Sequence, residues 1–420
     1  MPQMISIAEH HTDEKTIRAA AHGSDRRYDG ALHALLRMVV VAAMLTVAAC
    51  SSEGSQRQVV PSAAATTSAD RPAERHRLGA LAEGARMAEA LVLPAEVDPA
   101  LVYPGTSGVL TRTMLLVSVG HNDVIRDAAT KNGLLTGFVS AGSDSTGSSF
   151  TTVLTHGVMR FPDESSATRA AEDLGHAAST SRGMLETESR QAVSLSGAPD
   201  TRFCLYKHHS GSNEGGSVDS MAFTPHGKFV VFTRVSSRTD TEAAAMTISA
   251  VDLQRPLLDS FAATDQGRFS ELSSDPEGMY ALSVGDDSGE SGSYGPRGAA
   301  HFAYDQVRAL QSFQEVGMTS VGIRGTYAYR TRDPEAAQLL AKVLADSAVR
   351  YRRIRSDTLV PATSPPEAGN SRCWSIAAGG NNSWHCVLSE GSYVGEIWAG
   401  SESEAHDLTA RQQRAFAATR

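Results

Sequence analysis

The chain has 420 residues, 41% of them hydrophobic and 20% charged, the proportions of a globular protein. Its net charge of −9 and pI of about 5.9 leave no basic excess to neutralise phosphates, which argues against nucleic acid as a partner.

The first element is the apolar run "MVVVAAMLTVAAC", residues 38 to 50. It has the length of a signal-peptide core and falls short of the about 20 apolar residues that span a bilayer. Arg26, Arg27 and Arg37 supply the positive side. The exit, Val47-Ala48-Ala49-Cys50, resembles the lipobox of bacterial lipoproteins, in which the cysteine thiol takes a diacylglycerol and becomes the first mature residue. Residues 1–49 are therefore expected to be removed, with a start codon assigned too early accounting for residues 1 to about 25. An acylated Cys50 holds the protein on the outer face of the cell membrane, since two or more acyl chains anchor stably. Residues 50–76, rich in Ser, Ala, Thr and Pro, read as the lipidated cysteine and a flexible tether.

About 345 residues follow, enough for two domains with real cores. An apolar stripe of Leu78, Leu81, Ala85 and Ala88 predicts a helix that Pro94 ends. The next signal is an internal repeat. "FPDESSATRAAEDL" (161–174) and "TRDPEAAQLLAKVL" (331–344) align without a gap, with Asp163 and Asp333 as N-caps and Leu174 and Leu344 on the buried face. Downstream, a strand and a short turn lead into Thr239…Glu242 in one half and Ser401…Glu404 in the other, both of capping-box form. Upstream, Asp123…Arg126 and Asp305…Arg308 each lead to a glycine, Gly133 and Gly317, and then a strand. Each half reads helix, strands, helix, three strands, helix. This predicts an α+β fold of two related repeats, 77–265 and 266–420, each an antiparallel sheet with helices packed mainly on one face. The Gly/Ser/Asp-rich stretches 140–150 and 285–295 read as mobile surface loops.

Three cysteines remain. In "CWSIAAGGNNSWHC" a turn at Gly379-Gly380 sets Cys373 opposite Cys386, within disulfide reach across antiparallel strands. An exported protein keeps such a bond. Cys204 reads as a buried, inert thiol.

With the lipobox, the stretches "RMAEALVLPAEVDPALVY" (86–103) and "YGPRGAAHF" (294–302) and the Cys373/Cys386 hairpin followed by a helix resemble a family of uncharacterised actinobacterial lipoproteins of the mycobacterial and nocardial type. The resemblance runs from the lipobox to the C-terminus. It implies a cell-envelope location and a two-part build, and no activity.

Catalytic signatures are absent from the sequence: no Gly-x-Ser-x-Gly, Ser-x-x-Lys, His-Glu-x-x-His, Walker or Gly-x-Gly-x-x-Gly motif. No metal site or cofactor is expected. His208 and His209 are adjacent on a strand and point to opposite faces, and Asp286–Glu290 lacks calcium-loop spacing. Arg297 and His301, after a loop and before a helix, are candidates to line a pocket and contact an anionic group, against a salt bridge and a core histidine as the plainer reading. Trp374, Trp384 and Trp398 read as packing around the hairpin. The expected function is a membrane-anchored binding module for a lipid, glycan or protein of the envelope, with an apolar cleft free of coupled titratable groups. An envelope hydrolase with a nucleophile beside a base, or a structural partner with a flat apolar patch, is the alternative.

Overall fold

Asp163 accepts a hydrogen bond from the Ser166 amide at 2.7 Å, and Asp333 accepts one from Ala336 at 2.7 Å. The same cap thus opens the central helix of each repeat, as the aligned sequences require. The computed structural model describes residues 70–144, 152–183, 186–208, 216–354, 357–378 and 381–419. The signal segment, Cys50, residues 51–69 of the tether, His209 and the Gly379-Gly380 pair lie outside them, as does most of the first Gly/Ser-rich loop; residues 70–76, expected in the flexible tether, are instead the start of a helix, and 140–143 of the expected loop belong to a strand.

In chain order the longer elements are α1 (Asp70–Met87), β1 (Tyr103–Pro104), β2 (Gly108–Val109), α2 (Asp123–Lys131), β3 (Thr136–Ser143), β4 (Val153–Arg160), α3 (Glu164–Thr180), β5 (Gln191–Val193), β6 (Arg202–His208), β7 (Ser217–His226), β8 (Phe229–Ser237) and α4 (Asp240–Ser260). The second repeat continues with β9 (Gly292–Tyr294), α5 (Gln306–Glu315), β10 (Ser320–Ile323), β11 (Thr326–Arg330), α6 (Pro334–Ile354), β12 (Thr358–Ala362), β13 (Arg372–Ala378), β14 (Asn381–Glu390), β15 (Tyr393–Ala399) and α7 (Glu402–Ala417). One sheet runs β1-β3-β4-β8-β7-β6-β5, with β2 also on β3, and the other runs β9-β10-β11-β15-β14-β13-β12. Every pairing is antiparallel. The two orders are the same permutation, so the fold is α+β and built twice.

Details depart from the sequence expectation. Four strands, not three, follow each central helix. The extra ones, β5 and β12, are edge strands: β5 is exposed throughout and β12 carries Pro361, so neither shows alternation. Leu78 is 43% exposed, and the buried face of α1 begins with Ala82 and Ala85. Pro94 opens a short helix, 94–97, at its first position instead of closing α1, because its missing N–H is an orphan there.

Helical cover is divided between the faces. In the first sheet, Val139, Met159, Met221, Phe223, Val230 and Phe232 pack under α3. Their neighbours Phe203, Leu205, Ala222 and Val235 face the other way, toward α4. In the second sheet, Val321, Ile323, Val387 and Val394 lie under α6, and Cys373, Cys386, Leu388 and Ile397 under α7. The α6 side shares one core with α1, α4 and the opposite side of the first sheet, through Phe138, Val158, Val231 and Val251. All described residues belong to one compact unit, Thr66–Arg420. No helix among them is long and apolar enough to cross a membrane.

The disulfide Cys373–Cys386 is formed, between directly paired residues of β13 and β14. Counted from the turn glycines Gly227 and Gly391, both at positive φ, Ala222 and Cys386 are each the fifth residue back. Ala222 faces Phe203 where Cys386 faces Cys373, so the first repeat fills with a ring the space the second closes covalently. Replacing both cysteines with alanine is expected to lower stability by about 3 kcal/mol, the loop-closure contribution, read as a shifted urea midpoint. An unchanged midpoint would show the bond to be energetically idle.

Candidate functional site

Arg297 and His301 are both committed to the fold. Arg297 meets Glu96 through two hydrogen bonds, at 2.8 and 2.9 Å, and its Nη1 also reaches the Leu91 carbonyl at 3.3 Å. His301 is fully buried, and its Nε2 donates to the Ala88 carbonyl at 3.0 Å. Glu89 accepts from the backbone amides of Arg297 and Gly298, at 3.1 and 2.7 Å. The segment 296–301 is thereby clamped to the stretch 88–96 that follows α1. This is the plainer reading of both residues, a salt bridge and a core histidine.

Behind the clamp lies a buried polar line. Ser107 Oγ touches Ser140 Oγ at 3.3 Å and the His301 carbonyl at 3.2 Å, and Gln306 Nε2 donates to the same carbonyl at 3.2 Å. His156 Nε2 donates to Gln254 Oε1 at 3.0 Å, which leaves Nδ1 to accept from Thr233 at 3.1 Å. Burial lowers the His156 pKa to about 4 and that of His301 to about 3, so both rings are neutral. Thr233, the hydroxyl on the His156 ring, is itself fully buried. Burial also raises the Cys204 thiol to about 12, which leaves it inert. A second buried network, Asp219 and Glu186 with Arg190, Arg234 and Ser236, balances its own charge: burial would raise the Asp219 carboxyl, yet the two guanidiniums hold it below the usual range.

A different picture emerges on the α6 side of the second sheet. Tyr327 and Tyr329, two residues apart on β11, face the same way with rings stacked 6.3 Å apart. Tyr327 is paired in register with Glu396 of β15. The Tyr329 hydroxyl donates to Glu396 Oε2 at 2.9 Å, and His385 Nε2 meets Oε1 at 3.0 Å. The Tyr327 hydroxyl donates to Glu290 Oε2 at 2.8 Å. Burial raises the Glu290 carboxyl, and the Tyr327 hydrogen bond offsets only part of that. Both tyrosine hydroxyls are pushed well above their ordinary range, by burial first and the carboxylates next.

These groups line a cavity of about 320 Å³, closed by Leu344, Ser347, Ala348 and Arg352 of α6, by Phe302 to Tyr304, and by Pro104 of the first repeat. Trp398 forms one wall and stacks on His385 at 4.0 Å, which stacks in turn on Trp374 at 5.9 Å. Trp384 is not part of this row. It sits on the opposite face, with the disulfide. A larger groove of about 660 Å³ adjoins the cavity at Tyr304 and Ser347, lined by charged side chains of α5 and α6 such as Arg308, Asp346 and Arg350.

The repeat shows why the smaller cavity is the candidate site. Glu396 is the fifth residue after Gly391, and Phe232 the fifth after Gly227. Phe232 is paired with Gly157, as Glu396 is with Tyr327, and Met159 corresponds to Tyr329. A patch that is apolar and filled under α3 has become hydroxyls and carboxylates around a cavity under α6. Sequence reading missed Glu396, although a glutamate at the centre of "YVGEIWA", aligned with "FVVFTRV", carries the signal. It also missed Glu290, which lies in the second Gly/Ser/Asp-rich stretch. That stretch is tied down: Tyr294 is 3% exposed and Asp287 bonds Tyr280 and Arg324. The cavity is not the apolar cleft without titratable groups expected of a binding protein. Nor does it hold a serine or cysteine against a base.

The model of the DUF7373 domain of unknown function, N-terminal, matches residues 70–274, and that of its C-terminal counterpart matches 273–418. No functionally curated protein matches the chain. Among solved structures, the extracellular domain of PknH from Mycobacterium tuberculosis is 13% identical, covers 41% of this chain and 94% of its own, and superposes with a TM-score of 0.30. DynU16, from the dynemicin biosynthetic locus, is 10% identical over 63% of this chain and 96% of its own, with a TM-score of 0.11. Neither likeness is close enough to carry an argument about function.

Because both buried histidines titrate below the ordinary 6.5, the unfolded chain takes up protons first as pH falls. Stability is therefore full above about pH 6.5 and is lost as pH falls toward 4, by about 3 kcal/mol for His156 alone. His301→Asn, which can still donate to Ala88, should flatten the slope of urea stability between pH 6.5 and 4.5. An unchanged slope would mean that His301 is protonated in the fold.

Proposed function

The chain belongs to the DUF7373 family, and on the site described above we propose that it is an exported, lipid-anchored binding module that holds a cell-envelope ligand in the cavity of its second repeat. The observation that carries this reading is the exchange of Gly157, Met159 and Phe232 for Tyr327, Tyr329 and Glu396 at equivalent positions of one duplicated sheet. Placing a carboxylate in a strand that could have been filled with an apolar side chain costs stability, and such departures concentrate where a protein binds something. The cavity's place, between the second sheet, α6 and a residue of the first repeat, suits a ligand held where the two repeats meet.

The address rests on the sequence: a signal core, a lipobox ending at Cys50, a tether, and the resemblance to actinobacterial envelope lipoproteins. A disulfide between β13 and β14 accords with an oxidising compartment. The protein would face outward from the membrane, with the repeats free to meet ligand.

For the anchor, Cys50→Ala should accumulate as an unprocessed, unacylated precursor in an actinobacterial host, and normal acyl labelling of that variant would overturn it. For the cavity, native mass spectrometry of the mature protein released from detergent should show extra mass that dissociates on denaturation. Ser347→Trp, which fills the cavity from α6, should abolish that mass. Persistence of the extra mass in the variant would place the ligand elsewhere.

A further inference from the structure

We infer that this cavity, on the binding reading above, takes a primary ammonium group at Glu290, in the field of Glu396, carried on a small polar molecule. Glu290 is the informative residue. Its Oε2 accepts from Tyr327, and among the described residues no cationic side chain pairs with it. A part-buried carboxylate without a counter-ion carries a desolvation cost that a bound cation removes.

The one cationic side chain among the lining residues, Arg352, and the nearby His385 do not serve it. Arg352 is engaged by Asp357 at 3.2 Å and lies 5.4 Å from the Trp398 ring centroid. His385 is turned to Glu396 and stacked against Trp398. The tyrosine hydroxyls of 327 and 329 donate to the carboxylates, which leaves their oxygens as acceptors. Acceptors therefore dominate the lining around Glu290, and an ammonium with three N–H donors matches them. An anionic ligand would meet two carboxylates at close range.

Trp398 is stacked on one face by His385 at 4.0 Å, Tyr304 by Tyr351 at 5.5 Å, and Tyr327 by Tyr329 at 6.3 Å, so the aromatic wall is held rigid around the carboxylates. The cavity volume of about 320 Å³ admits a molecule the size of an amino sugar or amino acid, with room to extend past Tyr304 into the adjoining groove.

The test uses the mature protein in detergent, titrated calorimetrically with D-glucosamine and with 1,5-diaminopentane, against N-acetylglucosamine as the uncharged match. Both amines should bind at least about tenfold more tightly than the acetylated sugar, and Glu290→Gln, which keeps an acceptor for Tyr327, should weaken both by about tenfold or more. Binding of the sugar amine alone would assign the scaffold as well as the charge. Equal affinity for N-acetylglucosamine, or full affinity in Glu290→Gln, would overturn the ammonium while leaving the cavity as a binding site. Failure of both amines to bind would also overturn it, and Ser347→Trp, read by native mass, then decides independently whether the cavity binds anything.

Discussion

The clamp formed by Arg297, His301 and Glu89 on the stretch 88–96 is the constraint on which the rest depends. It joins the start of the second repeat to the segment that precedes the first sheet. One side of it positions β9 and Glu290, and the other positions Phe302, Ala303 and Tyr304, all of which bound the cavity apart from β9 itself. A bidentate Arg297–Glu96 pair is directional in a way that apolar packing is not, and it ties Arg297 of the second repeat to a side chain and, through the Leu91 carbonyl, to the backbone of the first. Cavity and clamp are thus one construction, with geometry set by polar contacts and closure set by α6.

Around the clamp the two repeats share a core. Phe138, Val158 and Val231 from the first sheet and Val321, Val387 and Val394 from the second belong to one continuous apolar cluster with α1. Glu83 of α1, fully buried, reinforces it by bonding Arg160 of β4, Arg86 and Thr264 of the connecting segment. Separating the repeats would expose this apolar surface to water. The duplication therefore yields one body with two unequal halves.

That inequality is where function can enter. Identical strand orders impose the same pairing on both sheets, so a substitution in one repeat can be read against the residue that fills the same place in the other. Phe203 with Ala222 against Cys373 with Cys386 is an exchange of one way of packing for another. Phe232 with Gly157 against Glu396 with Tyr327 is not, because charge and hydroxyl replace ring and hydrogen inside a sheet. The Trp374–His385–Trp398 row supports Glu396 from behind and fixes its orientation through His385 Nε2.

Much of the architecture was legible in the chain itself. Asp163 and Asp333, Thr239 and Ser401, the paired glycines and the Cys373/Cys386 hairpin are local signals, governed by capping, turn conformation and strand pairing over a few residues, and they established the α+β class and the duplication. The edge strands β5 and β12 escaped because edges show little alternation, and the division of helices between faces depended on which way each sheet turns its alternate residues. The site was not legible, since Glu290 lies in a polar stretch that looks like any solvated loop, and Arg297 and His301 look as free as ligand groups until Glu96 and Ala88 are brought beside them. Contacts of that kind join residues about 200 positions apart, as Arg297 and Glu96 are. Local chemistry determines the elements; only tertiary packing decides which carboxylate keeps a partner and which is left facing a cavity.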